Sequence, residues 1–316
     1  MFEISPKLVE KVKEINGALL GTYKHTASEK KGIRQKLEAV GAIRHVEPYL
    51  PKKLLGWLDG REVAAVDGSV NQTKGDIPHV LYLFQALAKT TTGFKSMASD
   101  IYTPLMDETN EEEHGVNWRA KILAKLELEV AYELLEKRDI ALLLMDGALY
   151  HYRIDAPLEW ERLRQKAISQ NVFLVGVSEE ITTENLIQLD EFQSFRKWPQ
   201  SYDRDLLFGI LKYGEMIHFE QIQHKAGLES AWIRFSSDPA ITGFDMLEEQ
   251  AMAKDEISRL LLTLTPRDGR GIPLWLDYVD REVRVTDKLV EALVEQYIDP
   301  EIAERFFKRK RQNRPY

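Results

Sequence analysis

The sequence predicts an α/β fold built on a mixed sheet, and three observations carry that prediction. Two apolar runs, Glu62-Val63-Ala64-Ala65-Val66-Asp67-Gly68-Ser69 and Ala141-Leu142-Leu143-Leu144-Met145-Asp146-Gly147-Ala148, have the continuous hydrophobicity of strands buried on both faces. Each stops at an aspartate followed at once by glycine, which reads as a sharp turn at the rim of a sheet. Between them, from about Asn117 to Lys137, runs a stretch with the apolar period of a helix.

The elements follow in order. Lys7 to about Ala42 is charged and helical, with apolar positions too sparse for a core of its own. Residues 1–56 are therefore expected as an N-terminal helical arm packed on the main body or on a second subunit. Arg61 to Asp67, Pro78 to Ala88 and Gly93 to Tyr102 are β-prone, and a Thr/Gly turn separates the last two, so the three predict a meander. An acidic loop, Asp107 to His114, leads into the 117–137 helix. A strand at 140–146, a helix from Pro157 to Gln170 and a strand from Asn171 to Val177 complete a βαβ unit.

Three strands, a helix, a strand, a helix and a strand is the ribonuclease H-like order. In that fold the first and fourth strands are parallel neighbours, which brings Asp67 and Asp146 to one crevice at the carboxyl ends of the strands. Residues 57–316 are expected as one domain, a ribonuclease H-like mixed sheet over about 61–180 flanked by helices, with a C-terminal helical extension. In the extension, Ser230 to Phe235 reads as a strand, Leu247 to Thr263 and Thr286 to Gln296 as helices, and Pro266 to Pro273 as a mobile connection.

Composition narrows the chemistry. The absence of cysteine removes disulfides, thiolate metal sites and a cysteine nucleophile. No apolar run approaches the roughly 18 residues that span a membrane, and the N-terminus lacks a signal pattern, so a soluble cytoplasmic protein is expected. A net charge of −8 weakly opposes a nucleic-acid partner but does not exclude one, because phosphate binding depends on local basic groups.

Two converging carboxylates without thiolates suit hard oxygen ligation of Mn²⁺ or Mg²⁺. The helix between the strands supplies a third. Stepping 100° per residue along it, Leu123, Leu126, Val130, Ala131 and Leu134 form one apolar face with Glu127 near its middle, while Lys125, Glu129, Glu133 and Glu136 fall opposite. A core-facing carboxylate is costly without a cation or a hydrogen-bond network, so Glu127 is the third candidate ligand, with Glu129 taking its place if the helical phase is shifted. Asp67 bridging two cations about 3.5–4 Å apart, with Glu127 and Asp146 completing the shells, would activate a water and stabilise a departing 3′ oxygen.

These segments resemble the NurA family, nucleases that work with the HerA translocase in DNA end processing. Ala65-Val66-Asp67-Gly68-Ser69 is similar to the family's first acidic motif, the Arg119–Ala131 helix with Glu127 to its second, and Leu143-Leu144-Met145-Asp146-Gly147-Ala148-Leu149 to its third. Leu174-Val175-Gly176-Val177-Ser178 resembles the strand that follows. Gly271 to Arg281 stands where the family has a Pro-Leu segment and then a helical histidine; here that place falls to Tyr278, with Asp277 and Asp280 offering carboxylates. The resemblance implies Asp67, Glu127 and Asp146 as catalytic residues and metal ligands; at the fourth place Asp280 is a candidate catalytic residue and ligand and Asp277 a candidate ligand, with Asp277, Tyr278 and Asp280 all open as the replacement for the histidine. It implies a Mn²⁺-dependent deoxyribonuclease that degrades from the 5′ end and cuts single strands in double-strand-break resection. It also implies a homodimer docked on a HerA-like hexameric ATPase.

Candidate nucleic-acid contacts are Ser69, the aromatic run with Tyr150, Tyr152 and Arg153, the Arg267/Arg270 loop, and the basic tail Lys308, Arg309, Lys310 and Arg311. Two other readings compete. A phosphotransferase of the actin and sugar-kinase type needs a second glycine two residues past the aspartate, where Ser69 and Ala148 stand. A non-catalytic docking subunit would have no need of the three acids.

Overall fold

The computed structural model describes residues 4–106, 117–197 and 202–307, with the side chains of 22–29 and 306 left aside. The acidic loop 107–114 and the basic tail Lys308–Arg311 lie outside the described residues.

The apolar runs form the expected strands. After helix α1 (Pro6–Ala39), the short strand β1 (Ile43–His45) and helix α2 (Pro51–Leu58) come β2 (Glu62–Gln72), β3 (Tyr82–Thr90) and β4 (Lys95–Tyr102), an antiparallel meander. Helix α3 (Trp118–Lys137) then leads into β5 (Ile140–Asp146), which returns parallel to β2. Helices α4 (Leu149–Asp155) and α5 (Pro157–Ser169) connect β5 to β6 (Phe173–Ser178), again parallel. This is the ribonuclease H-like core that the order of elements predicts.

The sheet does not end there. Strands β7 (Glu215–Ile217), β8 (His224–Lys225), β9 (Leu228–Ile233) and β10 (Thr242–Leu247) extend it to ten strands in the order β1-β7-β9-β10-β6-β5-β2-β3-β4, with β8 beside β9. The stretch expected to begin a helix at Leu247 is thus preceded by an unforeseen strand, and the regular helix, α6 (Lys254–Leu264), starts later. Helices α7 (Leu274–Val283) and α8 (Asp287–Tyr297) follow.

Alternation along the central strands fills both faces. Ala64, Val66, Leu143 and Met145 pack under α3 and α5 with Leu128, Leu134 and Leu163. Val63, Ala65, Leu142 and Leu144 face the other way, against Ile257, Leu261 and Val279 of α6 and α7. The C-terminal half of α1 joins the body through Ile33 and Leu37, buried with Phe192, Phe195, Leu206 and Leu207. Its N-terminal half leaves Leu8, Val12, Ile15 and Leu19 exposed at helical spacing.

Candidate active site

β2 and β5 run parallel with Val66 opposite Met145, so Asp67 and Asp146 occupy the next position of adjacent strands. β5 stops at Asp146, and Gly147 makes the expected turn with φ 85°. At Asp67 the expectation of a turn fails, because β2 continues to Gln72 and stays paired with β3. Gly68 is needed for room instead. A β-carbon there would collide with Glu127 Oε1 and stand 2.7 Å from Leu123 Cδ1. A glycine required by a side chain 59 positions away looks, in the sequence, like a turn glycine.

Glu127 faces inward as the helical phase predicts, 7% exposed, between the buried Leu126 and Leu128, whereas Glu129 is exposed. Its carboxyl lies beside the Tyr152 hydroxyl, whose one proton is donated to the Asp146 carbonyl at 2.9 Å. Tyr152 is itself buried, so the expected stacking role passes to a structural one, with its hydroxyl placed between two acidic positions. Asp245 on β10, opposite Gly176 of β6, completes the crevice floor and accepts a bond from Leu149 N–H at 3.1 Å. Neither Asp245 nor the Tyr152 hydroxyl was legible as a site group in the sequence. The only signal for Asp245 was an acid within a short apolar segment.

The resulting crevice, about 510 Å³, is lined by Asp67, Glu127, Asp146, His151 and Asp245 among others. Its acids are all pushed toward the protonated form. Burial first, then the Asp146 and Glu127 charges, push Asp67 up, with the Gly68 N–H at 2.7 Å pulling back. Burial raises Glu127 to about 8, Asp146 adds to this, and the Tyr152 hydroxyl opposes it. Asp146, at the open mouth, is raised by loss of hydration and by Asp280, while a hydrogen bond from Asp67 and the Arg270 charge act the other way. Burial raises Asp245 to about 7. Among the described residues no Lys or Arg forms an ion pair with Asp67, Glu127 or Asp146.

The last acidic segment lies on α7. Asp280 bears electrostatically on both Asp67 and Asp146, and its Oδ2 accepts from Arg284 at 2.7 Å. Asp277 instead pairs with Arg270 at 2.8 Å. Tyr278 turns away to stack on Trp275 at 5.0 Å beneath Lys89. Of the three candidates for the fourth position, Asp280 is the one whose charge bears on Asp67 and Asp146.

The remaining candidates disperse. The Ser69 hydroxyl accepts from Val285 N–H at 2.9 Å, joining β2 to the end of α7. Tyr150 is half-buried under Lys225, Arg153 is exposed, and Arg267 lies over Tyr213, 5.0 Å from its ring centre. Arg270 stands at the crevice rim.

The donor set fits a hard divalent cation by chemistry and by charge, since all of it is carboxylate oxygen in a net-negative pocket. Among the described residues, no three acidic or histidine groups converge closely enough to form a finished coordination shell.

A ribonuclease H-like sheet with unpaired acids at the ends of its parallel strands suits an enzyme that hydrolyses phosphodiesters, and the family match puts the chain among the nucleases. The NurA domain matches residues 61–285, and the chain belongs to the NurA family. The structure is similar to the NurA nuclease from Sulfolobus solfataricus, with a TM-score of 0.62 at 15% identity over 92% of this chain and 96% of that one. The catalytic domain of human endonuclease V overlaps more loosely, with a TM-score of 0.41 at 14% identity over 86% and 97% of the two chains. Among curated protein sequences none matches.

Proposed function

We propose that this chain is a divalent-metal-dependent deoxyribonuclease that cuts single strands internally and degrades DNA from the 5′ end. The carrying observation is the Asp67–Glu127–Asp146 group, assembled from two strands and a helix, with Glu127 buried and no basic partner for any of the three among the described residues. Burial first, then neighbouring acidic charge, raises the proton affinity of all three and weakens the fold, a cost consistent with a site kept for a cation.

Asp67, Glu127, Asp146 and Asp280 would hold Mn²⁺ or Mg²⁺, two ions in our reading. When bound, such ions supply the Lewis acidity that makes water nucleophilic at neutral pH and stabilises the departing 3′ oxygen. The chain's own contribution is placement. Gly68 admits the Glu127 carboxyl beside Asp67, and the Tyr152 hydroxyl stands between Glu127 and the Asp146 backbone. Asp277 then serves as the partner of Arg270 rather than as a ligand. Asp245 orients the start of α4, and with it the turn that presents Asp146.

Family membership supports a role in resection of DNA ends as a homodimer on a HerA-like hexameric ATPase. The exposed stripe of Leu8, Val12, Ile15 and Leu19 is a surface consistent with a protein partner.

The test is digestion of labelled single-stranded and 5′-labelled duplex DNA by the purified chain. Nucleotide release should require Mn²⁺ or Mg²⁺, stop with EDTA, and vanish in Asp67→Ala. Cleavage that persists in Asp67→Ala, or no cleavage by the wild-type chain with either metal, rejects the reading.

A further inference from the structure

Segment 266–273, expected as a mobile connection, is fastened to the sheet. Ser237 N–H donates to the Arg267 carbonyl at 2.7 Å, Gly269 N–H to that of Pro266 at 3.1 Å, and the Thr242 hydroxyl to that of Gly271 at 2.9 Å. Gly271 has φ 89°, and a β-carbon there would stand 2.9 Å from the Thr242 hydroxyl, so only glycine fits the anchor. The residue before it, Arg270, is therefore held on a fixed backbone at the rim of the crevice.

Its side chain spans two elements. Nη1 donates to Glu179 Oε2, just past β6, at 2.5 Å, while Nη2 and Nε both reach Asp277 Oδ1 on α7, at 2.8 and 3.1 Å. A guanidinium has five N–H groups in a rigid planar fork. Two are hydrogen-bonded here, one to each acid, and Nη2 is in ion-pair contact with Asp277, so the fork is not fully used by protein partners among the described residues. The charge of Arg270 also bears on Asp146, favouring its ionised form. Arg284, by contrast, caps α7 and is engaged with Asp280 one turn back, and Arg267 lies over Tyr213.

The two acids that hold Arg270 are not equivalent. Asp277 Oδ1 accepts from Nε and is in ion-pair contact with Nη2, and its side chain is 31% exposed, which orients the fork. Glu179 takes one N–H group and is 46% exposed, so water and salt weaken its hold. A phosphate offers more charge and two oxygens matched to the fork.

We propose that Arg270 grips a backbone phosphate of the DNA strand beside the acidic group, with Asp277 as its positioning residue and Glu179 as a competitor that the phosphate displaces. This rests on the nuclease reading and deepens it. In a pocket whose acids repel DNA, Arg270 is the counterweight that lets a strand approach.

The test uses the full chain, a fluorescein-labelled oligothymidylate and Mn²⁺, with KM, kcat and binding anisotropy measured across a salt series. Arg270→Gln should raise KM about tenfold with a smaller change in kcat, and should lower the slope of log affinity against log salt by about 0.7, the value for one phosphate on a single strand. Arg270→Lys should restore the salt slope but only part of KM, since it keeps the charge and loses the fork. Glu179→Gln should lower KM.

Arg270→Gln with wild-type KM and salt slope, or Glu179→Gln with raised KM, overturns the proposal. So does a melting temperature that falls as KM rises, which would mark Arg270 as a structural tie. Absence of cleavage by the wild-type chain rejects the nuclease reading instead, and the anisotropy slopes then still decide whether Arg270 contacts phosphate.

Discussion

Glu215 and Glu127 are almost equally buried, 8% and 7% exposed, yet they sit in opposite electrostatic settings. Glu215 on β7 receives both Nη groups of Arg34 at 2.8 Å and the Lys212 N–H at 2.7 Å, and the Arg34 hydrogen bonds hold it below the usual carboxylate range. Glu62, at the start of β2, is matched in the same way by Arg138. Glu127 has a tyrosine hydroxyl and other acids for neighbours, and burial lifts it to about 8. Glu215 and Glu62, acids that tie the fold together, are each given a cation. Among the described residues no Lys or Arg forms an ion pair with Asp67, Glu127 or Asp146, and that missing charge points to what the site is built to receive.

Replacing Glu127 by Gln breaks that contrast most sharply. Cleavage should fall by at least about 10³-fold, as expected when one member of a concerted catalytic group is lost. Stability should move the other way. A carboxyl whose folded-state proton affinity is raised contributes stability that is fully present below its unfolded value near 4.5 and is lost as pH rises through about 8. The metal-free wild-type chain should therefore lose urea resistance between pH 5 and pH 9. Glu127→Gln should flatten part of that decline, with Asp67 accounting for much of the rest. Mn²⁺ at pH 8 should restore the wild-type chain and act less on the variant. A wild-type chain equally stable in EDTA at both pH values would contradict an uncompensated site.

Arg34→Ala is the counterpart. It strands Glu215 in a buried position and should cost about 3 kcal/mol in denaturant unfolding, the low end for breaking a buried pair because Arg34 remains partly exposed. Cleavage measured well below the melting temperature should be unchanged. If both variants lost stability alike, the distinction between a structural and a functional acid would not hold.

The two settings also differed in what the sequence disclosed. Asp67, Asp146 and Glu127 were legible because each breaks a local rule: an acid closes a continuous apolar run, or interrupts the apolar face of a helix. Glu215 and Arg34 break none, and nothing local joins residues 181 positions apart. β10 was missed for a related reason. Thr242-Gly243-Phe244-Asp245-Met246-Leu247 contains poor strand formers and becomes a strand only between β6 and β9. Asp245 was lost with it. The turn expected at Gly68 failed because close approach and turning call for the same residue.

Ser69 gives the smallest effect and separates the crevice from its frame. It lies two residues from Asp67, so sequence proximity alone made it a candidate DNA contact. Its hydroxyl accepts from Val285 N–H at 2.9 Å, fixing the end of the helix that carries Asp280. Ser69→Ala leaves that partly buried N–H unsatisfied and should cost about 1 kcal/mol in urea unfolding. KM for a labelled single strand should stay within about twofold of wild type, since a tie of this size shifts the helix little. A rise in KM without loss of stability would instead put the hydroxyl on the substrate, and would extend the DNA-binding surface along β2 beyond the acids.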